Sequence, residues 1–367
     1  MVGKRILIAA NSDLSFDQRM QRICNSLHHA GYQIFISGRC FPKSVSLNAE
    51  KYQQDRISLW FQKGKLAYLE LNIRFFIKLI SKSADAIYSV DLDTLPACWL
   101  LAKLKGKKLI HDAHEYMEEV PEVYKRPATQ KLWKFIGQKL VPGTDLAFTT
   151  TQSIAEVLTL HHNKKYHLVR NIAELKEPDS EQKPEKEKGF WVFLGAVNQG
   201  RGLEEFLEIL PFTNRKLVIL GDGDRMEAIR KMVEDQQLDH MVSFRGKVKP
   251  AKAREIMKNA WAGINLLTDE GLSYRYSLAN KFFDYVHAGI PQISIHFPEY
   301  KKLMAEFEVG VLTSIHKDSI LAATQIISFP EKQAHFRMEA EKAKLVWNWQ
   351  EEEKVLLKLF RELFDGE

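Results

Sequence analysis

The strongest constraint on this chain is an alternation of short apolar runs with longer segments of helical periodicity, carried through twice. In the first half the runs RILIAA (5–10), QIFIS (33–37), AIYSV (86–90), KLIHDA (108–113) and LAFTT (146–150) are interleaved with helix-like stretches at about 17–30, 66–82 and 94–105. The second half repeats the theme with FWVFL (190–194), KLVIL (216–220), residues 242–244, AGINLL (262–267) and PQISI (291–295), and with helices at about 202–210, 224–236, 250–259 and 278–288. Such alternation specifies a parallel sheet with helices on both faces, so the expected fold is α/β, with two doubly wound domains. Between them NIAELKEPDSEQKPEKEKG (171–189) is nearly free of large apolar side chains and carries Pro178 and Pro184, a linker composition. The expected organisation is a domain at 1–172, a linker at 173–189, a second domain at 190–346 and a terminal segment at 347–367. In that segment Asn348 and Glu351 read as an N-cap with its capping box. They open a helix over about 349–364 with Val355, Leu356, Leu359, Phe360 and Leu363 on its apolar face.

A length of 367 residues exceeds what one simple core organises, and 45% hydrophobic with 27% charged residues is the balance of a globular protein. Cys24, Cys40 and Cys98 are odd in number and lack metal-ligand spacing, which points to a reducing, cytoplasmic setting without a disulfide framework or a structural metal. MVGKRILIAANS reads as a first buried strand rather than a signal peptide, and no run approaches the roughly 18 apolar residues of a membrane span. The net charge of +6 is uneven: residues 1–175 hold 25 Lys and Arg against 16 Asp and Glu, the remainder 28 against 31. A basic first half suits an anionic membrane or a phosphorylated substrate. Nucleic acid is not expected, because the basic residues are scattered and no recognition motif appears.

YRYSLANKFFDYVHAGIP (274–291) carries the most chemistry. On a helical wheel Ala279, Phe282, Phe283 and Val286 share a core side, while Ser277, Asn280, Lys281, Asp284 and Ala288 share a polar side. With Ser277 as N-cap and Gly289 as the C′ residue, the first turn offers free N–H groups at the carboxyl end of a strand, where open α/β sheets bind ligands. Helix N-terminus, Lys281 ammonium and Asp284 carboxylate together match a nucleoside diphosphate; the alternative is an exposed i,i+3 ion pair. FLGAVNQGRGLEEFLEIL (193–210) places Arg201 beside a second helix start after Gly195, and LVILGDGDRMEAI (217–229) repeats the strand–glycine–helix pattern with Gly221 and Gly223. Three glycine-bearing βα turns on one sheet favour a phosphate-bearing ligand.

These segments, with FDQRMQRICNSLHHAGY (16–32) and LIHDAHEYMEEVPE (109–122), resemble the family 4, or group 1, glycosyltransferases over nearly the whole chain. The resemblance implies a GT-B fold, two Rossmann-like domains facing across a cleft, with the C-terminal helix returning to the first. It implies a metal-independent enzyme, with no cofactor, that moves a sugar from a nucleotide-diphosphate donor to an acceptor hydroxyl with retention, in cell-surface polysaccharide or glycolipid assembly. Arg201 and Lys281 would neutralise the diphosphate, Asp284 would hold the ribose, and backbone around Gly246 and Val248 would meet the base. Gly195, Gly221, Gly223, Ser277, Leu278 and Asn280 complete the implied donor site. The family's pair of glutamates eight residues apart is here Tyr276 and Asp284, so the first carboxylate is missing. Two alternatives remain: a nucleotide-sugar 2-epimerase of the same architecture, and a non-catalytic nucleotide-sugar-binding module.

In the first half His114 would be the family's cleft histidine near the reacting sugar, or a structural histidine held by a carboxylate. His111 and His114 differ by an odd number and point to opposite faces of a strand, so they cannot easily share a metal. Asp91 and Asp93 mimic an acidic metal motif, but Asp93 or Thr94 serves as an N-cap with Pro96 in the first turn. Asp17, Arg19 and Asp91 are the candidate acceptor contacts, or, for Asp17 and Arg19, an exposed first-turn pair. Residues 60–80, WFQKGKLAYLELNIRFFIKLI, interleave aromatics with Lys63, Lys65, Arg74 and Lys78. That pattern fits a plain amphipathic helix or peripheral contact with an anionic membrane, where family members use lipid-linked acceptors.

Overall fold

The computed structural model describes residues 3–176 and 189–366. It divides into two units, Met1–Asn171 with Glu352–Glu367, and Ile172–Glu351. Most of the expected linker, residues 177–188, lies outside the described residues.

The first unit is built on seven parallel strands: β1 (Arg5–Ala9), β2 (Gln33–Cys40), β3 (Gln53–Ser58), β4 (Ala86–Val90), β5 (Lys108–Ala113), β6 (Leu146–Thr149) and β7 (His167–Leu168). Their spatial order is β3-β2-β1-β4-β5-β6-β7, so the winding reverses between β1 and β4. The expected apolar runs form the middle of this sheet, with Ile6, Ile8, Ile87, Tyr88, Ile110 and Phe148 fully buried. A strand covered on both faces must be apolar along its length. Edge strands escape that demand, and β3 (QQDRIS) buries only Ile57.

The second unit has six parallel strands: β8 (Trp191–Leu194), β9 (Leu217–Leu220), β10 (Val242–Phe244), β11 (Ala262–Asn265), β12 (Gln292–Ile295) and β13 (Gly310–Thr313). The order β10-β9-β8-β11-β12-β13 reverses between β8 and β11. These two strands pair only through Ala262 with Trp191 and Gly263 with Val192. Beyond that pair the buried Tyr285 hydroxyl enters between them, accepting from the Leu194 N–H and facing the carbonyls of Val192 and Ile264, each at 3.1 Å. It satisfies backbone groups that the diverging strands can no longer satisfy for each other.

A helix over Trp349–Asp365 is opened by Asn348, whose Oδ1 accepts the Glu351 N–H at 3.1 Å. From Glu352 onward it belongs to the first unit. Phe360 packs on Tyr32 and Tyr88, with ring centroids 5.9 and 6.3 Å apart, and Glu352 pairs with Arg170 at 2.6 Å. The expected return of this helix is therefore observed. Of its expected apolar face, Leu356, Leu359 and Phe360 are buried and Val355 is exposed.

Candidate functional site

In the second unit the carboxyl end of the sheet is shaped by close backbone approaches. A Cβ on Gly221, just after β9, would lie 1.8 Å from the carbonyl oxygen of Gly195, just after β8. The two turns are pressed together where a side chain would hold them apart. Arg201 lies on the next loop; Gly202 beside it has φ +72° and would bring a Cβ to 2.2 Å from that of Leu266. These glycines set backbone, not side chains, around the loop that carries Arg201.

The helix at this end runs over Asn280–His287, two residues later than expected, with Ala279 at the N-cap and no side-chain cap. Ser277 does not cap it. Its hydroxyl donates to the Tyr274 carbonyl at 2.8 Å, closing a short helix over Leu272–Arg275. Asn280 is exposed at the uncapped start, Ser277 and Asp284 are half-buried, and Leu278 packs against the cluster around Phe282 and Trp347. Gly246 and Val248 follow β10, with open space on the side where a Gly246 side chain would project.

Lys281 lies on the helix's polar side by sequence and yet is only 8% exposed. Its ammonium stands 3.7 Å from the centre of the Phe193 ring, its stem runs past Gly195, and Nζ has no hydrogen-bond partner. Burial, reinforced by the charge of Arg201, pushes the amine well below its ordinary range. Arg201 lies over Tyr274, 5.3 Å from ring centre, and its buried Nε is likewise unpartnered. An unpaired buried cation is costly. Lys281 is such a cation, whereas Arg201 is half-buried with only its Nε shut away from a partner, and its charge reaches Lys281.

In the first unit a second cluster gathers at the ends of β4 and β5. Asp112 is fully buried and receives Arg19 through two bonds (Nε–Oδ2 3.2 Å, Nη2–Oδ1 2.9 Å), the Tyr88 hydroxyl at 2.9 Å and His114 Nε2 at 3.0 Å. Burial works to raise this carboxyl, but Arg19 and His114 hold it well below the usual carboxylate range. The His114 backbone N–H donates to Asp91 Oδ1 at 2.8 Å, and Asp91 Oδ2 lies 3.9 Å from the imidazole Nδ1. Burial alone would depress the imidazole; Asp112 and Asp91 outweigh it and push His114 up to about 9. Burial raises Asp91 and Asp93 to about 6 each. Asp91 sits at φ +57°, a left-handed position that Asp tolerates better than most residues.

Of the expected acceptor contacts, Arg19 and Asp17 are engaged within the first unit. Arg19 is 3% exposed and turned inward, its Nη1 also donating to the Val169 carbonyl at 3.0 Å. Asp17 caps the helix Gln18–His29, accepting the Met20 N–H at 3.0 Å. Neither is an exposed pair. Asp93 and Thr94 are not N-caps, because the helix Asp91–Lys105 already begins at Asp91; Asn11 donates to Asp93 at 2.7 Å, and the Thr94 hydroxyl donates back to Val90. His111 is fully buried beside Ser89 at 3.1 Å and pushed by burial down to about 3. Among the described residues no three His, Cys, Asp or Glu side chains are grouped to hold a metal ion. The Arg19–Asp112 pair, ninety-three residues apart in sequence, carried no local signal by which sequence reasoning could have found it.

Residues 175–344 match the family described as Glycosyl transferases group 1. Comparison with curated proteins finds no match. Among solved structures, sucrose-phosphate synthase from Thermosynechococcus elongatus superposes with a TM-score of 0.79 at 15% identity, over 99% of this chain and 100% of that one. Anabaena Alr3699/HepE in complex with UDP and glucose gives 0.75 at 12% identity, over 97% and 98%. WaaG, a glycosyltransferase involved in lipopolysaccharide biosynthesis, gives 0.72 at 12% identity, over 98% and 100%. Residues 175–344 thus carry the match to the group 1 glycosyltransferases, and the chain as a whole has the GT-B fold of two Rossmann-like units.

Proposed function

We propose that this protein transfers a glycosyl group from a nucleoside-diphosphate sugar to an acceptor hydroxyl, with retention at the anomeric carbon. The observation that carries the reading is Lys281, buried without a hydrogen-bond partner beside an equally unpartnered Arg201 Nε. As the bond from the anomeric carbon to the phosphate oxygen breaks, its electron pair stays on the diphosphate. The acceptor oxygen bonds the carbon and passes its proton to the departing diphosphate oxygen, which holds that electron pair. Arg201, Lys281 and the uncapped N–H groups of Asn280–His287 stabilise the growing charge more than they stabilise the bound donor. With Arg201 and a Lys281 that a bound diphosphate would hold protonated in that role, the reading needs no resident metal. Asp284 is assigned the ribose hydroxyls and the backbone at Gly246 and Val248 the base; a nucleotide donor agrees with HepE, of like fold, having been solved with UDP and glucose.

In the first unit His114 and Asp91 are the members of their cluster with solvent exposure, 20% and 27%, and are assigned to sugar hydroxyls. An acceptor in cell-surface polysaccharide or glycolipid assembly fits the likeness to WaaG. A cytoplasmic location fits three free cysteines, and no described helix is long and apolar enough to cross a membrane.

The test is a thermal-shift panel of nucleotide sugars followed by turnover with the donor that binds. A donor at about 100 times its Kd adds about 2.7 kcal/mol of stability. Lys281→Ala is expected to lower kcat/KM by about a hundredfold or more, as loss of a charge-stabilising donor does. Unchanged kcat/KM in that variant would overturn the assignment.

A further inference from the structure

The helix Gly64–Ile80 is apolar on two opposite faces. Ala67, Leu71, Phe75 and Leu79 are buried against the first unit. Leu66, Leu69, Ile73, Ile77 and Ile80 are 55, 58, 50, 64 and 37% exposed. At about 100° per residue the centres of these two sets lie roughly 180° apart, so the outer stripe is not the rim of the buried one. A plain amphipathic helix, one of the two readings its sequence allows, has a polar outer face; this helix does not. The stripe runs for about 21 Å at 1.5 Å per residue.

It also has neighbours of its own kind. Just before the helix stand Trp60, 85% exposed, and Phe61, 47% exposed. The adjacent helix Asp91–Lys105 exposes Leu100 and Leu104 one turn apart, and Pro127–Leu140 exposes Leu132 and Phe135. Tyr68 and the buried Trp133, in edge-to-face contact at 5.1 Å, tie the first and third of these helices together. Single exposed apolar residues are ordinary, whereas a stripe backed by aromatics marks a surface that something covers.

Charge decides what covers it. The only acidic residue in Gly64–Ile80 is Glu70, and it is already engaged by Arg74 at 2.7 Å and by the N–H groups of Trp60 and Phe61. Asp55 is paired with Lys78 and Glu119 with Lys134. Around them Lys63, Lys65, Lys103, Lys131 and Lys139 are exposed with no carboxylate partner among the described residues. A second copy meeting this face across a two-fold axis would set lysines against lysines. A bilayer with anionic headgroups accepts both components, acyl chains for the stripe and phosphates for the lysine ring, with Trp60 suited to the boundary between them.

We propose that the outer face of Gly64–Ile80, flanked by Trp60 and the unpaired lysines, is a membrane-docking surface that lies in the headgroup region of an anionic bilayer. The inference stands independently of the donor-site reading, because its readout is binding rather than turnover.

The experiment is co-sedimentation of the full chain with vesicles of phosphatidylcholine alone and of phosphatidylcholine mixed with phosphatidylglycerol. The wild-type protein is expected to bind the mixed vesicles at least about tenfold better, and to lose most of that preference in high salt, where surface charges are screened. Ile73→Glu combined with Ile77→Glu changes only exposed positions. It is expected to cut binding about tenfold or more with the same Tm and the same donor-induced thermal shift. Lys63→Glu combined with Lys65→Glu should reduce binding to mixed vesicles toward the level seen with phosphatidylcholine. If the wild-type protein stays in the supernatant with both vesicle types, or if the Ile73/Ile77 variant binds as well as the wild type, the proposal falls. It falls equally if lipid-free sedimentation velocity shows a dimer that Ile77→Glu dissociates while vesicle binding is absent.

Discussion

His114 illustrates how much a single side chain depends on residues far away in sequence. Its imidazole is held by Asp112, which is held in turn by Arg19 and Tyr88, so its raised affinity for a proton reflects three elements at once. The folded-state value of about 9 stands above the ordinary 6.5. The resulting stabilisation is therefore fully present below pH 6.5 and lost as pH rises through 9. Urea denaturation of His114→Gln beside the wild type tests this. The stability gap is expected to shrink by up to about 3 kcal/mol between pH 6 and pH 10, at 1.36 kcal/mol per unit; a constant gap would mean that the histidine is uncharged. At this scale the sequence was legible in part. The wheel grouped Lys281 with polar residues, but the structure buries it without a hydrogen-bond partner, and that burial depends on Phe193, eighty-eight positions earlier, which no local pattern announces. Arg19 looked like a surface residue for the same reason: the partner that takes it inside is remote.

Elements were legible where burial is complete and obscure where it is not. The ten expected strands all appear, nine of them inside a sheet and β10 as a short half-buried edge with an apolar pattern, whereas β3, β7 and β13 were not anticipated. β3 is a polar edge strand, β7 has two residues, and β13 is a four-residue edge. The displaced start of Asn280–His287 has a different cause. The short helix Leu272–Arg275 just before it takes the Ser277 hydroxyl for its own last turn, and nothing in the local periodicity revealed that helix. Asn348, by contrast, was read correctly from a capping pattern, and the structure gives it a second task. Its amide nitrogen donates to the carbonyls of Lys344 and Leu345 at 3.0 and 2.9 Å, finishing the helix Pro330–Val346, while its oxygen starts the next. Asn348→Ala should therefore cost about 1–2 kcal/mol, more than a cap alone in a peptide. Asn348→Ser, which keeps an acceptor but loses the two donated bonds, should fall between. Equal stability of all three proteins by chemical denaturation would show that this double role carries no weight.

For the whole molecule the two units have separate cores, and a domain with its own core unfolds as its own transition. Calorimetry with whichever nucleotide sugar the thermal-shift panel selects should raise the transition of the unit that carries Arg201 and Lys281. Phe360→Ala removes a fully buried ring from the other unit and should lower that one by about 3–5 kcal/mol, or roughly 6–20 °C for a unit of this size. A single transition that responds to both perturbations would refute the independence of the cores. The alternation of the sequence announced two sheets, but not that one of them is completed from a distance.

That completion has a consequence for how the protein is made. Tyr32 and Tyr88 emerge from the ribosome early, yet Phe360, the ring that covers them, is translated only after the entire second unit. During synthesis the first sheet waits with part of its apolar floor open to water and to chaperones. A message cut short just before codon 352 would yield a chain with the second unit whole and the first unfinished, a product that cellular proteolysis should remove.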